Sequence, residues 1–287
     1  MNLPHLDTIV KEKTGIEVAS YVPLSGGSIS SAYKAVLSDS TALFVKTNPQ
    51  FSDMFLKEVN GLRELEKSGS LKTPAILYAD SELLLLEFLQ AAQITNRKIF
   101  FEHFGRAFAS LHRTTSDMFG FYEDNYIGST PQKNTNRTTS WKEFYFSERL
   151  HFQFLLAEQN GYADKRLRSV FHQLEQQIEN LIPEHHESPS LLHGDLWSGN
   201  FLSMEQNNAA IFDPAVYYGN READLAMTLL FGGFDSVFYD AYNEEFPLQQ
   251  GWKQRMDLYM LYHLLNHLNL FGKGYYRQVL ETMQGLL

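Results

Sequence analysis

One segment constrains this chain more than any other. It reads Leu191-Leu192-His193-Gly194-Asp195-Leu196-Trp197-Ser198-Gly199-Asn200, then Phe201-Leu202-Ser203-Met204, a polar stretch from Glu205 to Asn208, and Ala209-Ala210-Ile211-Phe212-Asp213. Apolar runs on either side of a short polar turn predict a β-hairpin pairing 201–204 with 209–212. If cross-strand partners sum to about 413, Asn200 lies opposite Asp213, and two hard oxygen donors converge where the ribbon opens. Mg²⁺ takes one or two such ligands together with phosphate oxygens and water, so Asn200 and Asp213 are the candidate metal ligands. Asp195 falls on the adjoining loop, where a carboxylate can accept the proton of an attacking hydroxyl; it is the candidate catalytic base. Either piece alone is equally well an ordinary turn or a strand end. Their order and spacing together point to phosphoryl transfer.

Phosphoryl transfer needs a phosphate site, and the upstream residues offer one. Ser25-Gly26-Gly27-Ser28-Ile29-Ser30 joins two predicted strands, so Gly26, Gly27 and Ser28 let backbone N–H groups approach phosphate oxygens. Lys46 ends the third predicted strand and Glu58 lies one turn into the helix that follows, a spacing that lets the carboxylate hold the ammonium toward the phosphates. No G-x₄-G-K-[ST] loop occurs in the chain, so the expected phosphate site is kinase-like rather than of the Walker type.

The organisation along the chain agrees. Short extended runs at Tyr21–Leu24, Ala32–Leu37 and Leu43–Lys46, a helical spacing through Phe55, Val59, Leu62 and Leu65, and strand-like runs at Ala75–Ala79 and Leu83–Leu89 predict a small antiparallel sheet carrying one helix. Beyond Gln90 the pattern turns to long amphipathic helices, as at Phe100, Phe104, Ala107, Phe108 and Leu111, or from Leu167 to Leu181 before Pro183. The fold class expected is α+β and bilobal, with a nucleotide-binding lobe over residues 1–89 and a mainly helical catalytic and substrate lobe over 90–287. Residues 120–140, rich in Asn, Thr, Ser and Gly, read as a long ordered loop or a substrate-facing excursion.

Composition removes other function classes. At 287 residues and a net charge of −10, the balance argues against a broad surface for nucleic acid or anionic lipid. The absence of cysteine excludes disulfides, thiolate metal ligands and a cysteine nucleophile. No signal peptide or apolar run long enough to span a bilayer is present, which reads as a soluble cytoplasmic protein.

The run His193-Gly194-Asp195-Leu196-Trp197-Ser198-Gly199-Asn200, the run Asp213-Pro214-Ala215-Val216-Tyr217-Tyr218-Gly219 and the following Arg221-Glu222-Ala223-Asp224-Leu225-Ala226-Met227 together resemble the fructosamine kinase (ketosamine 3-kinase) family of protein-kinase-like phosphotransferases. Asn125-Tyr126-Ile127-Gly128 and Tyr262-His263-Leu264-Leu265-Asn266-His267-Leu268-Asn269 extend the likeness over nearly the whole chain. The resemblance implies transfer of the ATP γ-phosphate to the 3-hydroxyl of a sugar carried as a ketosamine, free or protein-linked, by a monomer or homodimer. It further implies Lys46 on the phosphates with Glu58 as its partner, Asp195 as base, and Asn200 and Asp213 on Mg²⁺. By the same resemblance the backbone of Glu87, Phe88 and Leu89 faces adenine, and Trp197, His193, Asn125 and His267 stand toward the acceptor. The His-Gly-Asp and spaced Asn pattern is shared with aminoglycoside and choline kinases, which leaves another amino-alcohol acceptor as the alternative; a non-catalytic nucleotide-binding protein of the same shape is the rival from another class.

Single residues carry narrower expectations. An indole two residues past the base can stack on the C–H face of a sugar, or anchor the loop in the core. Asp224 begins an apolar helix expected over Leu225–Phe231, where it can brace the catalytic loop by accepting its N–H groups. His263 and His267 stand i, i+4, but no Glu follows His263 and no third ligand is indicated, so zinc is not expected. His185-His186 reads as solvated loop.

Overall fold

The structure, a computed structural model, describes residues 3–24, 30–47, 51–182 and 187–287. Gly26, Gly27 and Ser28 of the expected phosphate turn, and His185-His186, lie outside the described residues. The chain opens with helix α1 (Leu3–Thr14), strands β1 (Val18–Leu24), β2 (Ser31–Leu37) and β3 (Ala42–Thr47), helix α2 (Met54–Lys67), and strands β4 (Ile76–Ala79) and β5 (Leu83–Glu87). The strands form one antiparallel sheet in the order β1-β2-β3-β5-β4. The tight β2–β3 turn is set by Asp39, whose carboxylate accepts from the N–H and hydroxyl of Thr41, with Ser40 in the left-handed region at φ 72°.

The continuous apolar run Leu83–Leu86 has its cause in this sheet. Side chains alternate across a strand. Leu83 and Leu85 pack with Leu6, Ile9 and Val10 of α1, while Leu84 and Leu86 pack with Phe55, Val59 and Leu62 of α2. A strand covered on both faces needs no polar side. The sequence reading places one helix on the sheet; the structure adds α1 on its other face, built on the i, i+3, i+4 spacing of Leu6, Ile9 and Val10 among charged residues.

After α3 (Arg97–Leu111) comes a short hairpin, β6 (Asn125–Ile127) and β7 (Thr130–Gln132). The stretch expected as an aperiodic loop therefore carries structure of its own. Asp124 fixes it by accepting from the N–H groups of Asn134 and Thr135. Helix α4 (Trp141–Tyr145) runs through a π-helical segment, Phe146–His151, into α5 (Phe152–Gln159), followed by α6 (Lys165–Leu181). Then come the short strands β8 (Ser190–Leu192), β9 (Phe201–Ser203), β10 (Ala209–Ile211) and β11 (Tyr217–Gly219), and helices α7 (Arg221–Leu229), α8 (Ser236–Glu245), α9 (Trp252–Phe271) and α10 (Tyr276–Gly285). Side chains cap these helices where the sequence offers them: Asn96 accepts from Ile99 N–H at the start of α3, and Asp164 from Leu167 N–H at the start of α6. Among the described residues no helix is long and apolar enough to cross a membrane.

One large core, which takes in Leu65 at the end of α2 and runs through to Met283, joins these helices. Helices α3 and α8 pack closely within it, since a methyl group on Gly105 would stand 2.2 Å from the Phe238 carbonyl oxygen. Helix α2 belongs to the sheet by packing, yet it is tied to the helical half as well. Lys57 and Asn60 hold Glu123, Glu64 accepts from the Tyr218 hydroxyl, and Gly61 lies against Pro214 and Val216.

Candidate active site

Strand β8 pairs with β11, Leu192 against Tyr217, and delivers the chain into the His193-Gly194-Asp195 turn. Gly194 sits at φ +83°, and a methyl group there would lie 2.0 Å from the Ala215 carbonyl oxygen, so only glycine fits. The turn is clamped by Asp224 in the first turn of α7. Its carboxylate accepts the N–H groups of His193 at 2.6 Å and Gly194 at 2.8 Å, and the His112 ring at 3.2 Å. Burial alone would push Asp224 up; those hydrogen bonds and the neighbouring imidazoles outweigh it and hold the carboxyl below its ordinary value.

His193 serves the same turn. It is fully buried, its Nε2 donates to the Phe212 carbonyl at 3.0 Å, and its Nδ1 accepts from the Asp195 N–H at 3.3 Å. The expectation of His193 as a substrate contact is corrected accordingly: the ring stitches the loop to the residue before Asp213, and neither nitrogen is left for a ligand.

The hairpin forms, one residue out of the expected register. Ile211 pairs with Phe201 and Ala209 with Ser203, and the Phe212 N–H reaches the Asn200 carbonyl, so Asn200 faces Phe212 and Asp213 lies one step beyond. The turn absorbs the difference with Gln206 and Asn207 both in the left-handed region. Asp213 is itself left-handed at φ 56°, an uncommon state for a residue with a side chain. That twist returns its carboxylate to the side of Asn200, and both line the same cavities. Asn200 Nδ2 donates to the Asp195 carbonyl at 2.8 Å and, more weakly, to the Asp195 carboxylate at 3.3 Å, leaving Oδ1 as its donor atom toward a cation.

Opposite stands Lys46, buried on β3. Its ammonium lies 2.8 Å from Glu58 and 2.6 Å from Asp213. Burial alone would lower this lysine; the carboxylates of Asp213 and Glu58 outweigh it and hold the ammonium charged. One cation between two acids cannot fully compensate both. Glu58, more deeply buried than Asp213 and repelled by it, is pushed up to about 7 against the pull of Lys46. Asp195 is raised well above the ordinary carboxylate range, first by burial and then by the charges of Asp213 and Asp224.

Two cavities meet at this cluster. One, of about 510 Å³, lies between the sheet and the strand link Glu87–Ala91, with Phe44 and Leu202 as apolar walls. Glu87 fixes the link rather than pointing into space: its carboxylate holds Lys72 and the Ala75 N–H, and its own N–H donates to the Ala75 carbonyl. Phe88 packs on the Lys34 ammonium at 4.4 Å. The other cavity, of about 450 Å³, lies toward α9 and is lined by Asp195, Tyr126, Asn266, His267 and Tyr275. Lys46, Asn200, Asp213 and Trp197 border both, and Asp195 borders only the second. The Trp197 indole covers Gly199, where a methyl group would stand 2.3 Å from the ring. Among the described residues no cluster of three or more His, Asp or Glu side chains forms a dedicated metal cage. The Asn200 amide oxygen beside the Asp213 carboxylate, which Lys46 also holds, could take a Mg²⁺ ion that brings its own phosphate ligands.

Asn125 reaches the second cavity, but its amide is spent inside. Nδ2 donates to the Val216 carbonyl, and Oδ1 accepts from Gln132 and Asn134. Gln132 continues this buried network to the Ala215 carbonyl and the Tyr262 hydroxyl, and Arg149 closes it on Asn134. These side chains hold the backbone just past Asp213 and escape sequence reasoning, since nothing local marks them as partners. Phe231, Asn266 and Tyr275 are likewise unforeseen. Helix α7, expected to run to Phe231, stops at Leu229, and Phe231 turns left-handed at the cavity lip.

Comparison with known proteins extends the geometry. The "probable ketoamine kinase" of Enterococcus faecium is 37% identical over 266 residues, covering 92% of this chain and 94% of that protein. The chloroplastic protein-ribulosamine 3-kinase of Arabidopsis thaliana is 36% identical over 292 residues, covering 99% of this chain and 87% of that one. A crystal structure from Thermobifida fusca described as a "putative fructosamine-3-kinase" superposes with a TM-score of 0.87 at 33% identity, over 98% of both chains. An aminoglycoside phosphotransferase shares the fold at a TM-score of 0.65 and 15% identity, over 98% of this chain and 96% of that one. With the family model described as fructosamine kinase matching residues 4–287, the chain belongs to the fructosamine kinase family of phosphotransferases.

Proposed function

We propose that this chain transfers the γ-phosphate of ATP to the 3-hydroxyl of a ketosamine, a deglycation-repair activity. The observation that carries the reading is the meeting of two cavities at Lys46, Asn200 and Asp213, with Asp195 bordering only the one toward α9. A nucleotide seated along Glu87–Leu89 directs its phosphates to Lys46. Asp195 takes the proton of the acceptor hydroxyl. Its raised affinity for a proton, caused by burial and the charges of Asp213 and Asp224, suits that transfer near neutral pH. Asn200 and Asp213 would hold Mg²⁺, which when bound neutralises charge on the transferred phosphoryl group. Lys46 orients the phosphates, and Glu58 keeps its ammonium in place. Trp197 stacks on the sugar beside the base.

The relatives' names support this choice of acceptor, one being a protein-ribulosamine 3-kinase and another a "probable ketoamine kinase". A neighbour of the same fold forms a ternary complex with ADP and hygromycin B, which is consistent with separate nucleotide and acceptor cavities. The test is mass spectrometry of a ribulosyl- or fructosyl-lysine peptide after incubation with ATP, Mg²⁺ and the protein. The expected result is a product heavier by one phosphate, formed from the glycated peptide and not from the free peptide. Phosphorylation of aminoglycosides or choline instead, with glycated lysine untouched, would replace the acceptor in this reading.

A further inference from the structure

Phe231 is out of place by ordinary rules. It is large, apolar and 44% exposed, and it sits in the left-handed region at φ 56°, ψ 40°, ahead of Gly232 and Gly233, which are also at positive φ. A bulky residue held in that state is strained, and strain of this kind persists where surrounding structure enforces it. Here the strain turns the ring onto the lip of the cavity that Asp195 borders. It meets Trp197 edge-on at 5.9 Å and lies 4.9 Å from His267. Phe271, 49% exposed, and Tyr275 flank His267 from its other side at 5.4 and 5.1 Å.

The polar atoms among these rings have a definite polarity. His267 Nδ1 lies 2.8 Å from the His263 carbonyl. A carbonyl can only accept, so Nδ1 carries the hydrogen and Nε2 is a bare acceptor. Burial lowers the affinity of this ring for a second proton, so the acceptor persists at neutral pH. Asn266, buried beside it, accepts from Gln153 through Oδ1, leaving Nδ2 with no hydrogen-bond partner among the described residues. The lysines on this cavity are already satisfied, Lys46 by Glu58 and Asp213 and Lys57 by Glu123. Of the carboxylates lining the cavity, Glu58 and Asp213 are paired with Lys46, and Asp195 is left without a cationic partner among the described residues, which makes the space favourable to a cation.

We propose that Phe231, Phe271 and Tyr275, grouped around His267, form the subsite for the protonated secondary amine of the acceptor. Ring faces attract the ammonium, and His267 Nε2 accepts one of its N–H groups. This rests on the reading of the acceptor as a ketosamine and adds what selects it: a cationic nitrogen next to the sugar, recognised without a carboxylate that would compete with Asp195.

The experiment compares Nα-acetyl-Nε-ribulosyl-lysine with its Nε-acetylated, uncharged counterpart, on the wild type and on Phe231→Leu, Tyr275→Leu and Phe231→Tyr. Leucine keeps apolar bulk and removes the ring. Expected in both leucine variants is a KM for the charged acceptor raised about tenfold, with kcat, the KM for ATP and the melting temperature unchanged. The uncharged acceptor is insensitive to the substitutions, and Phe231→Tyr behaves as wild type. Equal losses for both acceptors, or none for either, overturn the subsite. If the wild type phosphorylates neither compound, the proposed function falls, and calorimetric binding of the same pair decides the subsite alone. It stands if the wild type favours the charged compound and Phe231→Leu erases that preference, and falls otherwise.

Discussion

Asp195 concentrates the tension between activity and stability in a single carboxylate. It is half-buried beside other acids, and burial together with the charges of Asp213 and Asp224 raises its proton affinity. A carboxyl raised in the folded state contributes stability below its unfolded value and loses that contribution as pH rises through the folded one. At neutral pH the charge is therefore borne at the expense of the fold. Asp195→Asn is expected to lower kcat by about 10²-fold or more and to raise the melting temperature at about pH 7–8 by roughly 2–4 °C. Below about pH 4 the gain vanishes, since the wild-type carboxyl is then neutral too. Thermal melts of both proteins across pH, beside turnover, check the pair of effects; unchanged stability at neutral pH would remove the burial argument. Asp224 behaves oppositely. Its value is depressed, so its contribution holds above the ordinary carboxylate range and is lost on acidification through the folded value. Asp224→Ala strands the buried N–H groups of His193 and Gly194, and is expected to cost about 1–3 kcal/mol or more in denaturant melts. The grouping of Lys46, Glu58, Asp195, Asn200 and Asp213 was legible in the sequence from their order and spacing taken together, since each piece alone reads equally well as a turn or a strand end. Phe231 and Tyr275 were not, since an aromatic at helical spacing reads as core until its exposure is known.

At the scale of elements, the β9–β10 ribbon is the instructive case. Its existence follows from two apolar runs around a polar turn, while its register depended on Gln206 and Asn207 adopting left-handed backbone, which no alternation pattern records. A slip of one residue would ordinarily send a side chain to the opposite face. The left-handed turn at Asp213 cancels that consequence, which is why the expected pair still borders one space. Helix α1 was missed for a different reason: its apolar stripe is only Leu6, Ile9 and Val10, and the surface it covers, Leu83 and Leu85, lies far along the chain. Packing between α3 and α8 gives a direct prediction. With 2.2 Å from a Gly105 methyl to the Phe238 carbonyl, Gly105→Ala forces the helices apart and is expected to destabilise the protein by about 1–3 kcal/mol. Chemical denaturation measures it; a neutral substitution would mean that α8 shifts freely.

For the whole molecule, the informative element is α2, which packs on the sheet and is fastened to the helical half through Glu123, Tyr218, Pro214 and Val216. Glu58, which steadies Lys46, rides on that helix. Glu123→Ala releases Lys57 and Asn60 without touching Lys46, Glu58 or Asp213. We expect kcat to fall several-fold, with hydrogen exchange accelerating along α2 and not along α9; an unaltered rate would show the fastening to be ornamental to turnover. Because Glu58 rides on a helix that both halves hold, the carboxylate that fixes the Lys46 ammonium is already in place before any ligand arrives.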